Sequence, residues 1–350
     1  MTVTAALDAL RRDLSGRADL TASVAVTVAG EEVYTAAFGY ASRTWSVPAT
    51  IGTRYDTASI TKLFTTVAAL RQVEAGAFDL DEPVIAYLGL AGTAIGADVT
   101  ARHLLTHTSG IADDADEEAG EEWSDLFRDN PTYKFTELVH HLPHFADKPA
   151  NFAPGTRVRY CNAGFQLLGM MVEKATGVRY RDHVPDAVFA PAGMVASGFF
   201  RMDETVPDVA EAVEPDADSV TGWRRNIFAY PPVGDAAGGA YCTVGDLLAF
   251  HRAAAGGALL GERFTREMWT PRATRDDDPT HHVGYGAEMR TGADGTVVSR
   301  WKEGISDGTS GMLRHYPRED VTIAILAVGA DTVWDPVRVF DRAMLGAPTA

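Results

Sequence analysis

The chain has 350 residues, of which 46% are hydrophobic and 23% are charged, proportions that are ordinary for a globular protein. At about 100–200 residues per domain, this length predicts two domains. The net charge of −17 argues against a nucleic-acid partner, because the phosphate groups would be repelled. No apolar run approaches the roughly 20 residues that cross a bilayer, so we also expect no membrane partner.

The first segment of the chain predicts an amphipathic helix, with Leu7, Leu10 and Leu14 on one face. Arg11 and Arg12 lie where a secretory signal peptide needs its apolar stretch. We therefore expect the protein to be cytoplasmic.

Strand and helix patterns divide the remainder of the chain into three parts. Two runs rich in Val, Ala and Tyr follow the first helix and are separated by a glycine, which is typical of a hairpin. Helical patterns and loops dominate from about residue 56 to about residue 235. After a further helix, strand patterns return as "TVVSRWK", "GMLRHYP" and "VTIAILAVG", and a closing helix follows as "VWDPVRVFDRAML".

Strands at both ends of the chain predict an α+β fold with one antiparallel sheet, flanked by helices and built from both termini. Residues 1–55 and 236–350 are expected to form this sheet domain, and residues 56–235 a mostly helical second domain. We expect the active site in the cleft between the two domains, where ligand sites often lie.

Cysteine and histidine usage gives no sign of a metal centre. The two cysteines, Cys161 and Cys242, are expected to be free thiols in a reducing compartment. No HExxH or CxxC spacing occurs, and the ten histidines are scattered. His140, His141 and His144 come closest to a cluster, which a solvated helix end explains equally well. We therefore expect no metal and no cofactor.

The stretch "TASITKLFTT", residues 57–66, places Ser59 and Lys62 three positions apart. On a helix such residues share a face, so the Lys62 amine reaches the Ser59 hydroxyl. Serine is a weak nucleophile until a base removes its proton, and burial lowers the pKa of a lysine toward that task. Asp56 and Thr57 are candidate caps at the helix start, where free N–H groups favour an oxyanion. Taken alone, the pair is more typical of a solvated helix face.

Two later stretches change this interpretation. "RVRYCNAGF" contains a Y-x-N pattern at 160–162, and "RWKEGISDGTSGMLRHYP" contains a K-x-G pattern at 302–304. With the S-x-x-K pattern of 59–62, this order resembles the serine β-lactamase and penicillin-binding-protein superfamily. The Y-x-N element is similar to that of the class C β-lactamase-like branch, which includes family VIII esterases, D-aminopeptidases and DD-carboxypeptidases. "VTARHLLTHTSGI" and "AGGAYCTVGDLLAF" extend the resemblance over nearly the whole chain.

The resemblance implies a role for each matching residue. Ser59 would be the nucleophile that becomes acylated, and Lys62 would be its activating base. Tyr160 would share proton transfer with the lysine, first protonating the leaving group and then activating the second acceptor. Asn162 would hydrogen-bond Lys62 or the substrate.

The third motif would complete the site. Lys302 would hold Tyr160 in its low-pKa form or bind an anionic group, and Gly304 closes the motif. The oxyanion hole would combine the backbone N–H groups of Ser59 and Ile305.

Three nearby residues have simpler interpretations. His107 in "THTSG" matches a tight turn better than a catalytic base. Cys161 is expected to be a small packed residue, because a reactive thiol needs an electropositive setting. Asp246 is expected to cap or anchor a helix.

Glu303 departs from the family, which commonly has Thr or Ser at this position to recognise a substrate carboxylate. Glu303 would repel a carboxylate if it faces the cleft, and a solvent-facing orientation on the strand is equally compatible with the sequence. The acidic run "DDADEEAGEEWSD", residues 113–125, is typical of a solvated loop and falls in a region that contributes to the cleft wall in relatives. We therefore hypothesise that a neutral or amine-bearing substrate is preferred over an anionic β-lactam.

The sequence thus predicts an enzyme, a serine hydrolase that forms a covalent acyl-enzyme with a small ester, amide or lactone. Three alternatives stay open. The first is acyl transfer to an alcohol or amine, as in an acyltransferase or peptide cyclase, and the second is a β-lactamase or DD-peptidase. The third is a catalytically silent binding or scaffold protein, against which the intact Ser59, Lys62, Tyr160 and Lys302 argue. The predicted partner is a small-molecule substrate, and the sequence does not predict an oligomeric state.

Overall fold

The computed structural model describes residues 3–116 and 119–346 of the chain. Glu117 and Glu118, which belong to the acidic run noted above, lie outside the described residues. The described α-helices are α1 (Val3–Ser15), α2 (Thr61–Glu74), α3 (Val84–Leu88), α4 (Ala101–Leu105), α5 (Asn162–Thr176), α6 (Tyr180–Val184), α7 (Ala190–Ala192), α8 (Val244–Ala255), α9 (Glu262–Met268) and α10 (Trp334–Leu345). Short 3₁₀ turns cover Ala58–Ile60, Trp123–Phe127, Thr132–Lys134 and Leu138–His144, and a π turn covers Pro185–Phe189.

The described strands fall into one large sheet and three small strand pairs. In chain order they are β1 (Ala22–Val28), β2 (Glu31–Phe38), β3 (Tyr40–Ser42), β4 (Val47–Pro48), β5 (Tyr55–Asp56), β6 (Val213–Pro215), β7 (Trp223–Arg225), β8 (Tyr241–Cys242), β9 (Ala273–Thr274), β10 (His281–Val283), β11 (Glu288–Thr291), β12 (Val297–Ser306), β13 (Thr309–Tyr316) and β14 (Val321–Val328).

The large sheet joins the two ends of the chain. Its strand order is β2-β1-β14-β13-β12-β11-β10-β9, and every neighbouring pair is antiparallel. The junction is the pair β1–β14, in which Val24 lies opposite Ile325. The prediction of an α+β fold with an antiparallel sheet built from both termini is confirmed.

Strand β14 shows why the sheet carries helices on both faces. All eight of its residues are buried, so both sides of the strand must be covered. Ile323 and Ile325 point to the face covered by α1 and α10, whereas Ala324 and Leu326 point to the face covered by the helical layer. This alternation follows from the two-residue period of a strand.

Helices α1 and α10 form the layer behind the sheet. Leu7, Leu10 and Leu14 of α1 are buried, as predicted, in a cluster that also contains Phe340 of α10. Along the described parts of the chain, every helix is too short or too polar to cross a membrane. The cytoplasmic location stays a prediction.

Helix α2 lies inside the helical layer, and its start lies next to the sheet. Every residue from 61 to 70 is buried. The Phe64 ring packs edge-on against Phe189 and Phe250, with ring centroids 5.0 Å and 4.8 Å apart. A helix buried all round is held firmly in place, so the residues at its start are well positioned.

Candidate active site

Ser59 lies in the 3₁₀ turn that immediately precedes α2. The Asp56 carboxylate holds this turn, because its Oδ1 accepts a 2.7 Å hydrogen bond from the Ala58 backbone N–H. Ala58 has a φ of +43°, a conformation that costs a non-glycine residue energy and is maintained by such contacts. Thr57 stands at the N-cap position of this turn as expected, but its side chain makes no capping hydrogen bond, and its hydroxyl donates instead to the carbonyl of Ala240 at 2.8 Å.

Lys62 is fully buried and has a hydrogen-bond acceptor for each of its three ammonium protons. Its Nζ lies 3.0 Å from Ser59 Oγ, 2.7 Å from Asn162 Oδ1 and 2.6 Å from the carbonyl oxygen of Ala237. These acceptors compensate for the loss of water around the amine. The structure therefore brings together Ser59, Lys62 and Asn162, as the sequence predicted.

Tyr160 lies just before α5, on a segment that is distant from Ser59 in the sequence. Its hydroxyl donates a 2.6 Å hydrogen bond to Ser59 Oγ. The ammonium groups of Lys62 and Lys302 both lie 4.8 Å from the centre of the Tyr160 ring. The two lysine side chains thus flank the aromatic ring whose hydroxyl contacts the candidate nucleophile.

The position of Tyr160 depends on two residues of the acidic run. Asp113 accepts hydrogen bonds of 2.8 Å from the backbone N–H groups of Asn162 and Ala163, the first residues of α5. Asp114 is also buried and accepts a bond from Gln166; burial, reinforced by the charge of Asp113, raises its pKa well above the usual range. The prediction of a solvated loop is therefore wrong for these two residues, which instead fix the start of α5.

Lys302 is buried beside a carboxylate that the sequence did not identify. Glu288 of β11 lies with Oε1 3.9 Å from Lys302 Nζ, and its Oε2 is 2.5 Å from His281 Nε2. Burial by itself would raise the pKa of Glu288, but the hydrogen bond to His281 and the charge of Lys302 outweigh it and lower the pKa to about 2. A sequence signal for this pair is weak, because β10 and β11 are short and polar.

Strand β12 brings the third motif against the Ser59 turn. Its pairing with β11 ends at Trp301, and among the described strands residues 302–306 pair with β13 alone. A Cβ atom on Gly304 would lie 2.1 Å from the Thr57 carbonyl oxygen and 3.1 Å from the Ser59 nitrogen, so only glycine allows this approach. The oxyanion role of the Ser59 and Ile305 N–H groups stays a prediction that this proximity supports.

The His107 ring packs against the ring of Tyr160. Its ring lies 4.6 Å from the Tyr160 ring between centroids, and its Nδ1 accepts a 3.2 Å hydrogen bond from the Cys161 backbone N–H. Burial, with a contribution from the charge of Lys302, lowers the pKa of His107 well below its usual value. His107 has a φ of +54°, which agrees with the predicted turn. Cys161 is buried as expected, and burial raises the pKa of its thiol.

An open cavity is lined in part by Ser59, and its empty space, which includes space open to solvent, is about 700 Å³. Its lining residues are Asp56, Ala58, Ser59, Trp123, Asn162, Phe200, Met202, Asn226, Tyr230, Pro231, Val233, Gly234, Asp235, Ala237, Gly238, Gly239, Tyr241 and Ile305. Glu303 is half-buried and is not among these residues, so its predicted role in specificity gains no support here. No group of three or more His, Cys, Asp or Glu side chains within 3–116 and 119–346 is placed to hold a metal ion.

Comparison with known proteins supports the fold and identifies similar proteins. Esterase EstB of Burkholderia gladioli is 35% identical over 204 residues, which cover 57% of this chain and 52% of that protein. Penicillin-binding protein 4 of Amycolatopsis lactamdurans is 30% identical over 176 residues, which cover 49% of this chain and 43% of that protein. The matched segments thus span about half the length of these curated relatives.

A solved structure matches over almost the whole chain. The penicillin binding protein from Bacillus halodurans has a TM-score of 0.89 and 31% identity, over 96% of this chain and 99% of that one. The family profile described as Beta-lactamase matches residues 8–347. Since this match includes all three motifs in order, the chain belongs to the Beta-lactamase family.

Proposed function

We propose that the chain is a serine hydrolase that forms a covalent acyl-enzyme at Ser59 with a small ester, amide or lactone. The observation that carries this proposal is the pair of contacts to Ser59 Oγ, from Lys62 Nζ at 3.0 Å and from the Tyr160 hydroxyl at 2.6 Å. A nucleophile that touches both a base and a second proton carrier meets the geometric requirement for acyl transfer.

The surroundings of Lys62 favour its role as the base. A neutral amine has two N–H bonds and one lone pair. When the two N–H bonds are directed at Asn162 Oδ1 and the carbonyl oxygen of Ala237, the lone pair is left to face Ser59 Oγ. Lys62 would therefore accept the hydroxyl proton as Ser59 attacks the substrate carbonyl.

Tyr160 would then complete the proton transfer. The phenol gives its proton to the leaving group as the bond between the acyl carbon and that group breaks, and the new Ser59 ester remains. The charges of Lys62 and Lys302, each 4.8 Å from the ring centre, attract the negative charge that develops on the phenolic oxygen. Water attacks the ester in the second half of the reaction, and Tyr160 takes up its proton. As the bond between the acyl carbon and Ser59 Oγ breaks, Lys62 returns the proton it took to that oxygen, and the free enzyme is restored.

The oxyanion that forms in both halves lies, in this proposal, between the backbone N–H groups of Ser59 and Ile305. The substrate enters the cleft between the sheet domain of residues 1–55 and 236–350 and the helical domain of residues 56–235. The close approach of Gly304 to the Ser59 turn supports this arrangement. It brings the strand that carries the Ile305 N–H next to the turn that carries the Ser59 N–H.

Hydrolysis of p-nitrophenyl acetate by the wild type and Ser59→Ala tests the proposal. We expect release of p-nitrophenol by the wild type, with a loss of at least about 10³-fold in the variant. Equal rates in the two proteins would overturn the proposal. Added alcohols and amines, followed by product analysis, would show whether acyl transfer competes with hydrolysis.

A second candidate activity is acylation by a penicillin. The similarity to the Bacillus halodurans protein, whose name records penicillin binding, favours it. In this case, benzylpenicillin would add its full mass to the wild-type protein and none to Ser59→Ala. A wild-type protein that stays unmodified at millimolar benzylpenicillin would contradict this candidate and leave the ester and amide proposal intact.

A further inference from the structure

The cavity beside Ser59 combines acidic groups with aromatic walls. Its lining includes the carboxylates of Asp56 and Asp235 and the rings of Phe200, Tyr230 and Tyr241. No Lys, Arg or His side chain of the described residues lines it. A ligand with a negative charge would meet only like charge here, whereas a positive charge would be attracted.

The two carboxylates differ in how many of their oxygens already contact hydrogen-bond donors. Asp235 is fully engaged: Oδ1 accepts from the backbone N–H groups of Ala237 and Gly238, and Oδ2 lies 3.3 Å from His141 Nε2. Asp56 uses only Oδ1, for the Ala58 N–H. Over the described part of the chain, no hydrogen bond reaches Asp56 Oδ2.

Asp56 also lacks a countercharge within the described structure. Burial raises the pKa of Asp56 to about 6, opposed by the hydrogen bond from Ala58, and no cationic side chain contributes. A partly buried carboxylate that faces a cavity without a positive partner is unfavourable, and a cation bound in the cavity would offset that cost.

Aromatic side chains line the same cavity as Asp56. Tyr241 lies directly opposite Asp56 in the β5–β8 pair, and its ring centroid is 5.8 Å from that of Phe200. Aromatic faces attract ammonium groups, so rings and carboxylate favour the same ligand. The combination is suited to a primary amine in its protonated form.

The cavity also indicates which part of the substrate carries this amine. Its lining contains Ser59 and Ile305 but neither Tyr160 nor Lys302. In the proposed mechanism the leaving group receives its proton from Tyr160, so it must lie on the Tyr160 side of Ser59. The acyl part of the substrate is therefore the part that occupies the cavity.

We propose that the cavity is a subsite for a protonated amino group on the acyl part of the substrate, with Asp56 as its anionic partner. The inference rests on the proposed hydrolase function. In this proposal Asp56 causes the preference for an amine-bearing substrate. The sequence suggested such a preference from Glu303 and the 113–125 run instead.

Two methyl esters that differ only in the amine provide the test. They are phenylalanine methyl ester, used as separate D and L forms, and methyl 3-phenylpropanoate. For the wild type we expect the higher kcat/KM with an amine-bearing ester, measured by pH-stat. In Asp56→Asn, which keeps the acceptor for Ala58, the ratio of kcat/KM between amine and des-amino ester falls by about 10- to 100-fold, as expected for a lost charged hydrogen bond.

Asp19→Asn is the charge-matched control, because Asp19 is exposed and does not line the cavity. It should keep the wild-type ratio. An Asp56→Asn protein with an unchanged ratio would overturn the inference, whereas a wild type without Ser59-dependent hydrolysis of p-nitrophenyl acetate would overturn the proposed function instead.

Inhibition of the wild type provides a measurement that needs no variant. 2-Phenylethylamine and 2-phenylethanol have similar shapes, and the first is a cation at pH 7.5. We expect the amine to inhibit hydrolysis of p-nitrophenyl acetate competitively and at least about tenfold more strongly than the alcohol, since an ion pair adds to the same apolar contacts. Equal inhibition by the two compounds would contradict an ammonium subsite even if Asp56→Asn fails to fold.

Discussion

The phenolic oxygen of Tyr160 lies 2.6 Å from Oγ of Ser59, although the two residues are 101 positions apart in the chain. Lys62, in the first turn of α2, contacts the same serine at 3.0 Å. The reacting atom is thus held between a local partner and a distant one. The local partner follows from a three-residue spacing, whereas the distant one depends on the packing of α5 against α2.

Removal of the phenolic hydroxyl tests this contact. Tyr160→Phe keeps the ring between the two lysines but takes away the proton carrier, so we expect kcat/KM for p-nitrophenyl acetate to fall by about 10²- to 10⁴-fold. Cys161→Ser is the control at the adjacent buried position and should lose far less activity. Equal losses in the two variants would mean that the thiol has a role that this mechanism lacks.

The Glu288 carboxylate is expected to keep Lys302 charged. The pKa of Glu288 is lowered to about 2, so the group stays ionised at every pH at which activity is measured. In Glu288→Gln the buried Lys302 loses its countercharge. We expect kcat/KM to fall by about 10- to 100-fold and the alkaline limb of its pH profile to move to lower pH.

Glu31→Gln, at an exposed position of edge strand β2, is the charge-matched control. A variant that keeps the wild-type pH profile would show that Glu288 does not act through Lys302.

Gly304 controls the distance between β12 and the Ser59 turn. Gly304→Ala would force its Cβ against the Thr57 carbonyl oxygen, so the turn or the strand must move. We expect a loss of about 1–3 kcal/mol in the free energy of unfolding, as for other overpacked sites, together with a marked loss of activity. Gly245→Ala is the matched control, because its Cβ would meet no atom closer than the Thr243 hydroxyl at 3.7 Å. Urea unfolding and ester hydrolysis measure both effects, and a Gly304→Ala protein as active as Gly245→Ala would contradict the proposed close approach.

Two buried histidines predict a loss of stability in acid. Burial lowers the pKa of His251 to about 3 and that of His315 to about 4, in both cases with help from neighbouring positive charge. The folded state therefore resists protonation that the unfolded chain accepts below its ordinary histidine pKa of about 6.5. Stability is full above that pH and declines as the pH falls toward the folded values.

The histidine contribution can be isolated by substitution. Between pH 6.5 and pH 5 each histidine should remove about 1–2 kcal/mol from the free energy of unfolding, at 1.36 kcal/mol per pKa unit. His315→Gln should therefore lose less stability over this range than the wild type, as measured by urea unfolding at the two pH values. Parallel pH dependences in the two proteins would refute the assignment to His315.

The sequence predicted those parts of the protein whose signals are local or belong to a strong pattern. The β1–β2 hairpin was predicted from its Val, Ala and Tyr content and the glycine between its strands, and α1 from the spacing of its leucines. The S-x-x-K, Y-x-N and K-x-G motifs named the residues that meet around Ser59. His281 and Glu288 escaped prediction because their strands are short and polar, with no apolar alternation. Their contact with the site becomes evident only when the antiparallel pairing of β11 with β12 places Glu288 beside Lys302.

The acidic residues show a second limit of sequence reasoning. A run of carboxylates is usually solvated, yet Asp113 and Asp114 are buried because the first N–H groups of α5 and the Gln166 amide provide hydrogen bonds. Asp56 was predicted as a helix cap, and its open oxygen toward the cavity depends on the pairing of β5 with β8. Such roles depend on long-range partners that one sequence does not reveal.

The central claim is that Ser59 is the nucleophile, and intact-protein mass spectrometry after treatment with a fluorophosphonate tests it most directly. We predict one covalent adduct on the wild type, mapped to the peptide that contains Ser59, and no adduct on Ser59→Ala under the same conditions. Equal labelling of the wild type and Ser59→Ala would contradict the claim.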